Sequence, residues 1–209
     1  MTTAAPLTYK GHPVPYVAAW SGEHLPEPGI IRAPDGIALV RYPRDSAGVS
    51  WKPWALRQGE GRPEYAVVHG PRQRRAMRRK LCQVCGGPAD VNEQGVLWLL
   101  EDNRGVPGWP EREVTTHPPV CLSCAPLPVR LCPHMRNAVA VRVGRVVVDG
   151  VFGQLYAPGL GGLVPGEKKV VFADDPRVRW MYGGQLAATL MNVTVVDLPE
   201  LRAARLPAL

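Results

Sequence analysis

The chain has 209 residues, 45% apolar and 21% charged, with Gly 22, Pro 23 and a formal charge of +7. That apolar content excludes a disordered chain, and Pro plus Gly at about a fifth of the residues excludes an all-helical bundle. Met1 to Gly11 holds a lone Lys10 and no apolar run, so no secretory leader is expected there. No stretch approaches the ~18 apolar residues of a spanning segment, so the expected setting is the reducing cytoplasm, without a membrane partner. Five cysteines, an odd number, also fit poorly with a disulfide framework.

Residues 1–70 read as an irregular, strand-rich lead-in, because Pro6, Pro13, Pro15, Pro26 and Pro28 forbid long elements. Within it, Ile30–Arg32 and Ile37–Tyr42 flank Asp35-Gly36 as a β-hairpin, and Trp51–Trp54 and Tyr65–Val68 follow as short strands or loops. From Pro71 to Leu81 good helix formers dominate, and Pro71 suits a first helical position, so a helix is expected. Val96–Leu100 is a short apolar strand, with Glu111–Thr116 as its returning partner. Ala138–Val148 and Val151–Tyr156 flank Asp149-Gly150, a second hairpin signal, and Pro158–Gly166 reads as a glycine-rich loop. Asp174 or Asp175 then caps a helix opening at Pro176, in which Val178, Tyr182, Leu186 and Leu190 form one stripe, weakened by Gly183-Gly184. Val193–Asp197 closes as a strand, and Leu198–Leu209 is a tail. The expectation is a strand-rich α+β fold in three parts: 1–70, a central module at 71–136, and hairpin, helix and strand at 137–209, packed as one compact domain.

Two CxxC pairs carry the clearest chemistry: Cys82-Gln83-Val84-Cys85 and Cys121-Leu122-Ser123-Cys124, separated by 35 residues. Each pair aims two thiolates at one point, and two pairs supply the four soft ligands that tetrahedral Zn²⁺ prefers. Gly86-Gly87 lets the first pair close as a knuckle, and the second pair stands where a helix can open after Pro118-Pro119. Zn²⁺ in a filled four-sulfur shell has no open position, so it stabilises folding and does not activate water. His117, Cys132 and His134 are the alternative ligands that would leave an open, catalytic shell.

Knuckle, hairpin and a CxxC at a helix start resemble a treble-clef or zinc-ribbon-like finger, and in layout the HNH-type nucleases. Gly86–Gly95 offers Asp90 and Asn92 but no histidine to activate water, and His117 lies beyond the hairpin, so HNH chemistry is not expected. The His-x-Glu or Cys-x-Glu that deaminases place upstream of Pro-Cys-x-x-Cys is also missing.

Arg72-Gln73-Arg74-Arg75-Ala76-Met77-Arg78-Arg79-Lys80 carries six basic groups and no acid, leaving about +1 for the rest of the chain. Like charges at this density repel unless a polyanion neutralises them, so Arg72, Arg74, Arg75, Arg78, Arg79 and Lys80 are expected to contact nucleic-acid phosphate. A solvated basic face without a partner is the bland alternative. From His69 to His134, these basic residues and both cysteine motifs resemble a family of uncharacterised proteins of high-GC actinobacteria. The resemblance implies a cytoplasmic bacterial protein and assigns no catalytic residue. The expected function is therefore a zinc-stabilised, non-enzymatic nucleic-acid-binding protein. The other readings are a protein adaptor anchored by Trp51, Trp54 or Trp109, and a metal-dependent enzyme of specialised metabolism or phage defence.

Overall fold

The computed structural model describes residues 5–132 and 135–197. Strand dominates over helix, giving a strand-rich α+β architecture. The lead-in is more regular than its prolines suggest. β1 (Leu7–Tyr9) turns through left-handed Lys10 and Gly11 onto β2 (His12–Val14), and β3 (Ala18–Trp20) follows. β4 (Ile30–Ala33) and β5 (Gly36–Leu39) form the expected hairpin, then β6 (Ser50–Trp51) and β7 (Pro63–Val68), which pairs with β3. α1 (Gly70–Arg79) is the expected basic helix, with Pro71 in its first turn.

The remaining elements are β8 (Val91–Asn92), β9 (Gly95–Leu100), β10 (Val114–Thr115), α2 (Pro126–Leu131), β11 (Val139–Gly159), β12 (Gly162–Phe172) and β13 (Met181–Val196). β11 is the spine of the main sheet. β13 runs antiparallel along one side of it, from Ala140↔Val196 to Leu155↔Met181. The other side is shared in sequence by β9, from Val139↔Leu100 to Val143↔Val96, and β12, from Gly150↔Phe172 to Gly159↔Gly162. β8 pairs with β9, while β10 and a parallel β6 add to β13.

Three expectations are corrected here. Asp149-Gly150 does not turn the chain; β11 runs straight through it, and the turn falls at Leu160-Gly161 inside the expected glycine-rich loop. One extra residue lies between Val147↔Thr189 and Gly150↔Ala187, so the dipeptide marks a β-bulge. Glycine is needed there because a Cβ would stand 2.8 Å from Val170 Cγ1 and 3.0 Å from Ala187 Cβ. The expected C-terminal helix is only a 3-10 turn, Pro176–Trp180, with Asp175 accepting from Arg177 N–H at 2.8 Å. The Tyr182, Leu186 and Leu190 stripe belongs to β13, because a spacing of four is also even and keeps one face of a strand. Val114–Thr115 returns to β13 rather than to Val96–Leu100. The tail Leu198–Leu209 lies outside the described residues.

β9 separates two cores by its alternation. Val96, Trp98 and Leu100 pack with Val141, Val143, Leu186, Leu190 and Met77 of α1. Leu97 and Leu99 point the other way, into a cluster containing Val120, Leu122, Ala125 and cysteines of both CxxC pairs. Arg142 lies in the apolar run of β11 yet is only 2% exposed; it donates to Asp90 Oδ2 at 2.6 Å and to the Asp90 and Gly95 carbonyls at 3.3 Å. That ion pair ties the β8–β9 hairpin to the spine.

Candidate metal centre and basic helix

α1 runs almost directly into the first CxxC pair. Lys80 adopts a left-handed conformation at the helix end, and Leu81 N–H donates to Ala76 O at 2.9 Å. Cys82 N–H then donates to Gly87 O at 2.7 Å, and Gly86 N–H returns to Cys82 O at 2.8 Å, closing a tight knuckle. Gly86 has φ +73, and a Cβ there would stand 2.7 Å from Tyr16 Cδ2, so both backbone and space demand glycine.

Backbone hydrogen bonds bring the second pair alongside. Gln83 N–H donates to Pro119 O at 2.9 Å, Asp90 N–H to Val120 O at 3.0 Å, and Val120 N–H to Leu97 O at 3.0 Å. Cys124 and Ala125 both donate to Cys121 O, and α2 begins at the next residue. The four sulfurs of Cys82, Cys85, Cys121 and Cys124 all lie within 4.8 Å of one another, with Cys85 and Cys121 at 3.8 Å. A regular tetrahedron with ~2.3 Å metal–sulfur arms has edges of about 3.8 Å, so the group has the size of a four-sulfur metal shell. The centre is buried except at Cys85, and all five cysteines are free thiols.

Hydrogen bonding shapes the cluster as well. Val84 N–H points at Cys82 Sγ at 3.4 Å, and Ser123 Oγ lies 3.2 Å from Cys121 Sγ. The hydrogen bond with Cys121 raises the Cys82 thiol to about 12, and hydrogen bonds from Cys124 and Cys82 lower that of Cys121. Cys124 is likewise pushed up, first by Cys121. One thiolate is thus favoured at the expense of its neighbours; four thiolates this close require a cation between them.

Among the described residues the group consists of these four cysteines alone. His117 does not join it: the residue is exposed, its carbonyl accepts from Trp98 Nε1 at 2.6 Å, and its N–H donates to Thr115 Oγ1 at 3.1 Å. Cys132 packs half-buried against the same apolar cluster without entering the group, and His134 lies outside the described residues.

The basic helix divides into an inner and an outer face. Arg72 is buried, which corrects its expected place on a phosphate-binding face. Its guanidinium pairs with both carboxylate oxygens of Glu23, while Nε donates to Tyr16 O at 2.6 Å and Nη2 to Ala18 O at 2.7 Å. Gln73 is buried beside it and brackets Leu186 of β13, accepting from its N–H at 3.0 Å and donating to its carbonyl at 2.9 Å. Arg74 stacks on Trp51 at 4.3 Å, its Nη1 buried with no hydrogen-bond partner, and burial lowers its pKa to about 10. Arg75, Arg78, Arg79 and Lys80 remain exposed, with Arg75 Nη1 donating to Tyr16 Oη at 2.8 Å. The tryptophans considered as partner anchors are half-buried. Trp51 donates to Asp45 Oδ2, Trp54 sits 5.1 Å from both His24 and His69, and Trp109 packs on the main core.

The sequence reading missed Glu23, His69 and Arg142. Arg142 did carry a signal: a lone arginine within a valine run needs a buried partner. His69 is buried at the N-cap of α1, with Nδ1 accepting from Arg72 N–H at 3.4 Å and Nε2 lying 3.0 Å from Ala55 O. Both bonds are made together by the neutral ring with its proton on Nε2.

Burial first, and then Arg72, hold the His69 pKa below its ordinary 6.5. Burial alone would raise Glu23, but hydrogen bonds from Arg72 and Trp20 N–H hold it below 4.5. Both folded-state values are depressed, so the unfolded chain binds more protons and both contributions are lost as pH falls. His69 begins to cost stability below about pH 6.5 and Glu23 below about pH 4.5. Urea midpoints should fall between pH 7 and pH 5, and His69→Asn, a non-titrating cap, should flatten that segment. An unchanged slope in the variant would remove His69 from the account.

Comparisons with family models, with curated proteins and with solved structures return no match to this chain.

Proposed function

We propose that the four cysteines hold a structural Zn²⁺ ion in a treble-clef-like module, and that α1 presents Arg75, Arg78, Arg79 and Lys80 to nucleic-acid phosphate, without catalysis. The single observation behind the metal assignment is the cluster of four sulfurs within 4.8 Å. Thiolates in a tetrahedral set select Zn²⁺ over hard cations, and a complete set of four leaves no position for a reacting water. The knuckle, the β8–β9 hairpin and the second CxxC before α2 follow one another in treble-clef order.

The exposed cations favour phosphate over an acidic protein surface, because three of the four are guanidiniums on one helix and none makes an ion pair with an acid among the described residues. The inner face of α1, including Arg72 and Gln73, is held by Glu23 and β13, so only the outer face with Arg75, Arg78, Arg79 and Lys80 is open to a nucleic acid. These charged donors are suited to phosphate oxygens, contacts that position a protein on a duplex.

Four phosphate contacts predict a log–log salt slope of about −4 on a duplex, with affinity in the ~10⁻⁴ to 10⁻⁶ M range near physiological salt. Fluorescence anisotropy with a DNA duplex of about 20 base pairs, titrated at several salt concentrations, measures both. Replacing Arg75, Arg78 and Arg79 by Ala should flatten the slope to about −1 and weaken binding sharply. A wild-type slope in the triple variant would refute the assignment.

A further inference from the structure

One short segment lies between the metal centre and the basic helix and contacts both. Tyr16 N–H donates to Val84 O at 2.8 Å and Val17 N–H to Gln83 O at 3.2 Å, so the segment is bonded to the two residues inside the first CxxC pair. The Tyr16 ring covers Gly86, where no Cβ would fit. The opposite side of the same segment faces α1. Tyr16 O accepts from Arg72 Nε, Val17 O accepts from His69 N–H at 2.8 Å, and Tyr16 Oη accepts from Arg75 Nη1. The exposed end of α1 has a second tie to the knuckle, because Ala89 N–H donates to Lys80 O at 3.0 Å.

These bonds have meaning only while the knuckle keeps its shape, and that shape depends on what draws four thiolates together. We infer that occupancy of the four-cysteine centre controls the order of the phosphate-binding face of α1, with Tyr16 as the positioning residue that carries the effect. The inference rests on the proposed function and adds to it a mode of regulation: loss of the metal releases Tyr16, frees the end of α1 and disperses the cations at Arg75, Arg78, Arg79 and Lys80. The main core uses Met77 of α1 but none of the cysteines, so the sheet of β11 and β13, apart from its end at Ala140 and Val196, keeps its own support when the centre opens.

Hydrogen exchange on the whole protein tests this, with metal content measured in parallel and no nucleic acid present. Chelation should accelerate exchange of residues 74–80 on the order of tenfold or more, with little change in β11 and β13, and added Zn²⁺ should reverse it. Tyr16→Ala should reproduce the acceleration while retaining one metal ion per chain, and Tyr16→Phe, which keeps the ring on Gly86, should restore most of the protection. Three results would overturn the inference: residues 74–80 indifferent to chelation, acceleration shared equally by β11 and β13, or a metal-loaded Tyr16→Ala protein identical to wild type. A chain that takes up no metal overturns this inference and the metal assignment together. A protein that behaves as expected here yet binds no duplex leaves the inference standing and removes the nucleic-acid reading alone.

Discussion

Cys124→Ser should leave the Cys82–Gly87 knuckle and the stretch from residue 118 to Leu131 without a stable fold. Serine keeps nearly the same shape, but its hydroxyl is a poor ligand for a thiolate-selecting metal, so the variant probes metal binding rather than packing. Structural zinc contributes ~10–16 kcal/mol in small fingers at neutral pH, comparable to the ~5–15 kcal/mol total stability of a domain. These stretches have little else to hold them, unlike β9 between them, which is paired with β11 in the main sheet. α2 buries none of its residues, and β8 is two residues long. The apolar cluster beneath them counts the cysteines themselves among its members. Limited proteolysis should therefore cut the variant at the knuckle or between residues 118 and 131 under conditions that leave wild type intact, with the main sheet, β9 included, surviving as a protected core. A variant that resists protease and melts within about 2 °C of wild type would show that the cysteines act only as small apolar side chains.

Glu23→Ala should be the most damaging single change outside the metal centre. Glu23 is fully buried, and its removal leaves the Arg72 guanidinium in a dry pocket with only the Tyr16 and Ala18 carbonyls. Breaking a buried pair from one side costs about 3–5 kcal/mol, because the remaining charge is uncompensated. Glu23→Leu combined with Arg72→Met, which removes both charges at similar volume, should recover most of that loss. Arg75→Ala, on the exposed face, should stay within about 0.5 kcal/mol of wild type. Urea unfolding of the four proteins makes the comparison. A Glu23→Ala loss below about 1 kcal/mol would contradict the buried-pair assignment.

The two arginines, three residues apart in sequence, also show what the chain makes legible and what it hides. Both CxxC pairs could be read directly, because each is a local turn whose spacing fixes where its thiolates point. The helix from Gly70 to Arg79 was equally legible, since Pro71 and the absence of further breakers are local facts. Which of its faces would be covered was not, because that depends on Glu23, 49 residues away from Arg72. β11 and β13 were hidden for a related reason. Asp149-Gly150 is a turn signal when read alone, but in place it is a bulge gripped by Val170 and Ala187 from the neighbouring strands. The Leu186 and Leu190 spacing serves a helix and a strand alike, and the ladder to β11 decides it.

Whether sulfur alone encloses a metal ion is read by X-ray absorption at the edge of the metal that co-purifies with the protein. The expected shell is four sulfur neighbours at ~2.3 Å with no nitrogen or oxygen. A shell containing a nitrogen or water ligand, or a protein that is isolated metal-free and gains no stability on metal addition, would contradict it.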